Sequence, residues 1–216
     1  DLPSGGIEHE NAEEIYKAGK RGSDLVKQIL AFSRQSEKTM IPTRLRNILH
    51  EVLKLCRSSI PINIEIVQDI QNDCGLVLAD PTQIHQVGMN IITNAYHAVE
   101  TEGGKISVKL RERMLESWEL SETSLKADRY VVLTVSDTGH GILPENVDKI
   151  FDPYFTTKKK GKGTGLGLAV VYGITQEHKG DVIVRSELGK GTCFNIVFPL
   201  MGKTAKVKTD QFAGSR

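Results

Sequence analysis

The sequence predicts an α/β protein: a mixed sheet with helices layered on one face, a two-layer sandwich preceded by one long helix. Three observations carry this. Strand-like and helix-like runs interleave without strict alternation, so the sheet is expected to be mixed. The run "RYVVLTVSD", residues 129–137, is apolar on both faces, as a strand buried between two layers must be. Residues 8–35 place Ile15, Ala18, Gly22, Leu25, Ile29 and Phe32 at alternating spacings of three and four, the narrow seam of a coiled-coil-like helix.

That seam cannot be buried by the helix alone, so a partner helix is implied; docking on the chain's own globular part is the other reading. After a break at "KTMIPT" the pattern predicts a helix over 45–58, a strand over 62–67 and a short strand over 76–78. Asp80 followed by Pro81 opens a helix running to about residue 99, with Asp as cap and Pro in the first turn. "GGKISVKL" reads as a strand, residues 112–128 as a polar surface excursion, and 129–137 as the central strand. A lid-like stretch at 150–165, a helix to about 178 and two strands, "DVIVRSE" and "GTCFNIVFPL", complete the order, with a tail or linker over 201–216.

Composition narrows the class. The 216 residues are 39% hydrophobic and 25% charged with a net charge of +1, ordinary globular values that provide no whole-molecule attraction to nucleic acid or membrane. Three cysteines, Cys56, Cys74 and Cys193, without C-x-x-C spacing argue for a reducing, cytoplasmic location and against a disulfide or zinc scaffold. No apolar run approaches the roughly 20 residues needed to span a bilayer. The chain opens on Asp1, so it is expected to be part of something longer, in which a membrane anchor has a place.

Four motifs carry chemistry. "KGKGTGLGLAVVYG", residues 160–173, sets glycines at 161, 163, 165 and 167 before an apolar helical run, the outline of a phosphate site at a helix start. It fits neither the Rossmann nor the Walker A spacing, and a flexible surface loop is the competing reading. Asn90, Asn94 and His97 share one side of the helix opened by Asp80; neutral oxygens there suit Mg²⁺ completed by phosphates, and they equally suit solvent. Asp137 ends the central strand in "VSDTGHG", where a carboxylate can accept from an exocyclic amino group while Gly139 and Gly141 let a flat ring approach; an ordinary turn would also use Asp-Thr-Gly. "KIFDPYFTTKKKGKG" joins Phe151 and Phe155 to a lysine-rich loop, with Lys158 a candidate to reach phosphates.

In this order the motifs resemble the catalytic half of a two-component sensor histidine kinase, over about residues 13–200. "NIITNA" is similar to the N box, "DTGHG" to the first glycine box, "FDPYF" to the F box, "GTGLGLA" to the second glycine box and "GKGT" to the last. "AGKRGSDLVKQILAFSRQ" is similar to the second helix of the dimerisation domain, particularly in hybrid kinases. The resemblance implies the Bergerat ATP-binding fold, with a partial dimerisation helix over 1–40 and a catalytic domain over 41–200. It also implies ATP and Mg²⁺ as ligands: Asn94 holding the metal with Asn90 assisting, Asp137 on the adenine amino group, Gly139 and Gly141 flanking the base, and Thr192 near it. Gly163, Thr164, Gly165, Leu166, Gly167 and Leu168 would follow the triphosphate, with Lys158 reaching it. His97 stands where many relatives have Lys, which makes its phosphate contact sensitive to pH.

The implied activity is transfer of the γ-phosphoryl group to a histidine, then to an aspartate on a response-regulator receiver domain, by a homodimer joined through the N-terminal helix. The alternative is a nucleotide-binding dimerisation module without catalysis. A chaperone-like or topoisomerase-like ATPase would need an acid where Asn90 stands. Of the six histidines only His9 lies near the acceptor region, and it begins the second helix, so the acceptor is expected before Asp1 and self-phosphorylation is not expected.

Overall fold

The computed structural model describes residues 39–120, 123–126, 128–158 and 163–201, together with Asn11 and Gly19. The apolar seam from Ile15 to Phe32, His9, Lys159, Lys160, Gly161, Lys162 and the tail beyond Met201 lie outside the described residues. The elements follow in the order β1 (Ile41–Thr43), α1 (Leu45–Ser59), β2 (Ile64–Ile70), β3 (Val77–Ala79), α2 (Pro81–Val99), β4 (Gly104–Leu115), β5 (Asp128–Asp137), α3 (Pro144–Val147), α4 (Gly167–Glu177), β6 (Asp181–Glu187) and β7 (Gly191–Pro199).

The main sheet has the order β2-β4-β5-β7-β6. Only β2 and β4 run parallel, and the other neighbours are antiparallel, so the sheet is mixed as the pattern predicts. A parallel pair needs a crossover, and the chain between β2 and β4 supplies it through β3 and α2. Residues 41–43, a break by sequence, are a strand: β1 pairs antiparallel with β3, Ile41 opposite Ala79.

Helices cover one face. Val131, Leu133 and Val135 of β5 are buried in one cluster with Leu49 of α1, Ile84, Val87 and Ile91 of α2 and Val171 of α4. The opposite side chains of β5, Tyr130 and Val132, join a second cluster with Leu115, Leu120 and Val197, against which Leu125 packs. This corrects the reading of 112–128 as a surface excursion. β4 runs on to Leu115, and Leu120, 3% exposed, closes over the end of the second face. Leu115, Leu120 and Leu125, three leucines at spacings of five in a mostly polar stretch, cover that end.

Local capping follows the sequence. Asp80 Oδ1 accepts from the N–H groups of Thr82 (2.8 Å) and Gln83 (3.3 Å), satisfying two orphan donors at the start of α2. The Asp80 N–H donates to His178 Nε2 at 3.1 Å, so the proton of that ring sits on Nδ1 and is donated to the Ile174 carbonyl at 2.7 Å. This neutral histidine, 3% exposed, ties the start of α2 to the end of α4. No described helix is long and apolar enough to cross a membrane.

Gly173 lies inside α4 with nothing within 4 Å of an added Cβ. Gly173→Ala should therefore raise stability by about 1 kcal/mol through helix propensity alone, read as a higher urea midpoint.

Candidate functional site

Asp137 is the last residue of β5, 8% exposed, on the helix-covered face. Its Oδ1 accepts from the N–H of Gly139 at 2.9 Å and of Thr192 at 3.3 Å. Burial pushes its carboxyl above the usual range; the two N–H groups and nearby His140 pull the other way. Oδ2 has no protein donor among the described residues, so the carboxylate keeps one oxygen for a ligand.

The loop after Asp137 is wedged between two elements. A Cβ on Gly139 would sit 2.3 Å from the Ala98 carbonyl oxygen of α2, and one on Gly141, φ +70°, would sit 2.2 Å from the Glu187 carbonyl oxygen. Protein thus occupies the side from which each Cβ is missing. These glycines let the loop close on α2 and on the β6–β7 hairpin.

At the other end, α4 starts at Gly167 with no side-chain cap, while Thr164 Oγ1 accepts from the Leu166 N–H just before it at 3.3 Å. The open N–H groups of the first turn and the positive dipole end are free for an anion. Gly167 faces the asparagine column: a Cβ there would lie 3.7 Å from Asn94 Nδ2, and Asn90 Nδ2 donates to the Gly167 carbonyl at 3.3 Å. The fold thus joins two motifs more than 70 residues apart. Gly165, φ +67°, is pressed on Tyr154 and accepts from the Tyr154 N–H at 3.0 Å, which pins the stretch 151–155 to the glycine loop. Phe151 and Phe155 pack on the core, and the Phe151 ring lies 5.2 Å from Tyr172.

Lys158 runs under Gly163, its Cδ 3.1 Å from where a Cβ would be. Burial lowers the pKa of its ammonium, against the opposing pull of Glu100. Glu100 also takes His97: Nδ1 and Oε2 are 2.9 Å apart. The sequence reading missed Glu100, although its i,i+3 spacing from His97 was a signal.

α2 links the two ends. Ala98, against Gly139, lies four and eight residues beyond Asn94 and Asn90, so about 6 and 12 Å along the axis. Such a span suits a nucleotide with its base at Asp137 and its phosphates at α4. Among the described residues no group of three or more His, Cys, Asp and Glu could hold a metal. Neutral amide oxygens beside a phosphate site instead suit Mg²⁺, which takes few protein ligands and completes its shell with phosphate oxygens and water. Lys159, Lys160 and Lys162 of the lid reading lie outside the described residues.

Residues 79–202 match the family model described as histidine kinase-, DNA gyrase B-, and HSP90-like ATPase. The sequence is 39% identical to the sensor kinase CckA of Brucella abortus, over 86% of this chain and 20% of that protein. It is 34% identical to the sensor histidine kinase ZraS of Salmonella typhimurium, over 93% of this chain and 40% of that protein, so the chain spans less than half of either relative. Among solved structures, the catalytic domain of the histidine kinase ThkA matches with a TM-score of 0.60 at 30% identity, over 74% of this chain and 95% of that one. ThkA in complex with the response regulator protein TrrA matches with a TM-score of 0.69 at 26% identity, over 93% of this chain and 53% of that one.

Proposed function

Since the chain belongs to the family of histidine kinase-, DNA gyrase B- and HSP90-like ATPases, we propose that it is the ATP-binding catalytic part of a sensor histidine kinase. It hands the γ-phosphoryl group of Mg-ATP to a histidine, for relay to a response-regulator aspartate. The observation that carries this reading is the meeting of Asn90 with Gly167 at the uncapped start of α4, on the same helix α2 whose Ala98, eight residues on, packs against the loop after Asp137. The names of CckA, ZraS and ThkA support the kinase class.

In this reading Asp137 accepts from the adenine amino group, with Thr192 beside it and Gly139 and Gly141 shaping the base end. The loop from Gly163 through Leu168 lines the triphosphate, Lys158 contributes positive charge, and His97 stands beside the phosphates on α2. Asn94, helped by Asn90, holds Mg²⁺, which when bound draws charge from the phosphates. An acceptor imidazole nitrogen forms a bond to the γ-phosphorus, the bond to the β,γ-bridging oxygen breaks, and ADP leaves. The chain's contribution is positioning and charge neutralisation. Asn90, not an acid, four residues before Asn94 disfavours water as the acceptor. We assign residues 1–40 to a dimerisation helix, 41–200 to the catalytic domain and 201–216 to a linker, in a homodimer on the cytoplasmic side.

In this reading none of the described histidines is the phosphoacceptor: His97 and His140 belong to the groove, His178 is buried, and His50 and His85 stand on α1 and α2, the helices packed on the sheet of the nucleotide-binding part and not on a dimerisation helix. Incubated with γ-labelled ATP, the chain alone should take up no acid-labile label, while a separate acceptor-helix polypeptide added in trans should be labelled. Label on this chain's own His9 would overturn the division of labour. Intact ADP binding without transfer would leave the binding module in its place.

A further inference from the structure

Thr192 does not stand alone at the base end of the groove. Ser186, opposite it across the β6–β7 pair, has Oγ within 2.9 Å of Thr192 Oγ1. Ser186 Oγ also accepts from the Ile142 N–H at 2.8 Å and donates to the Gly191 carbonyl at 3.1 Å. A serine hydroxyl has one proton and two lone pairs. With its proton on Gly191 and one lone pair on Ile142, Ser186 can only accept from Thr192. The Thr192 proton is thereby turned toward Ser186, and its Oγ1 keeps only lone pairs. Its backbone N–H is already used on Asp137 Oδ1 at 3.3 Å. The Asp137 carboxylate and the Thr192 hydroxyl then both present acceptors at this end.

We infer that Ser186 is a positioning residue that holds the Thr192 hydroxyl as an acceptor beside Asp137, and so selects a purine bearing an amino group at its six-position over one bearing a carbonyl. The inference rests on the nucleotide reading of the groove. At the six-position an amino group supplies two donors to these acceptors, whereas a carbonyl meets lone pairs with lone pairs and leaves N1–H as the one donor of that edge. Removing Ser186 Oγ frees the Thr192 hydroxyl to rotate and donate to that carbonyl.

Calorimetric titration with ADP and with inosine diphosphate tests this. The parent should bind ADP far more tightly, and Ser186→Ala should narrow the ratio of the two affinities about fivefold, the worth of one neutral hydrogen bond. Ser186→Thr, which keeps the hydroxyl, should restore it. Purely structural weakening lowers both affinities together, so an unchanged ratio in Ser186→Ala overturns the inference. Should that variant fail to fold, Ser186→Cys, a weaker donor and acceptor, is read by the same ratio and the same criterion. A parent that binds both nucleotides alike overturns this inference and leaves the nucleotide reading standing. A parent that binds neither removes both.

Discussion

The Asp137→Asn protein should lose at least about tenfold in ADP affinity and yet, without nucleotide, melt at a higher temperature than the parent. Both effects have one cause. Burial disfavours the ionised carboxylate, as its raised pKa records. Asn removes that buried charge while its oxygen still accepts from Gly139 and Thr192. The amide cannot replace the charge-assisted bond to an adenine amino group, worth about 1.5–3 kcal/mol, and it can turn a donor toward that amino group instead. The pH dependence has a definite sign. A carboxyl with a folded pKa above its unfolded value binds its proton more tightly when folded, so its unfavourable contribution above that pKa is relieved as pH falls through it. The stability gap between parent and variant should close on acidification, while parental ADP affinity falls over the same window. Melting curves and calorimetry from neutral pH downward check both; equal ADP affinity in the two proteins would place the base elsewhere.

Gly141→Ala should lower stability by about 2–5 kcal/mol, a large part of the 5–15 kcal/mol typical of a domain. The φ of +70° costs an L-residue about 1–2 kcal/mol, and the new methyl, 2.2 Å from the Glu187 carbonyl oxygen, adds about 1–3 kcal/mol of overpacking. Relief requires the loop to leave the β6–β7 hairpin, which also breaks the bond from the Gly189 N–H to the His140 carbonyl at 2.9 Å. Gly139 shares that loop, so its hold on Asp137 should loosen and ADP binding fall as well. Urea unfolding of this variant beside Gly173→Ala, expected to move the other way, separates crowding from a general response to alanine; a midpoint equal to the parent's would contradict the close approach of Glu187.

Much of the site was legible because its signals are local. Asp80 caps the groups two and three residues ahead, and the helical period alone puts Asn90, Asn94 and His97 on one side. A glycine run before an apolar stretch marks an open helix start wherever the helix ends up. The pairing of β1 with β3 was not legible, since three residues around a proline carry no alternation to read. Leu120 and Leu125 looked like scattered apolar residues in a polar stretch until β4, running on to Leu115, brought them over the second face.

By itself the sequence determined the order of the elements other than β1 and α3, the mixed sheet with helices on one face, and the residue types a nucleotide would need, since periodicity and chain-neighbour hydrogen bonds depend on local spacing. Only the tertiary structure decided what those residues meet. Alternation says which residues share a strand face and not which strand lies alongside, so nothing in "VRSE" marked Ser186 as the partner of Thr192. A missing Cβ says that something comes close and not what: at Gly139 and Gly141 it is the carbonyls of Ala98 and Glu187, and at Gly167 it is the asparagine column. These contacts join residues tens of positions apart, and their geometry exists only once the sheet and helices have packed.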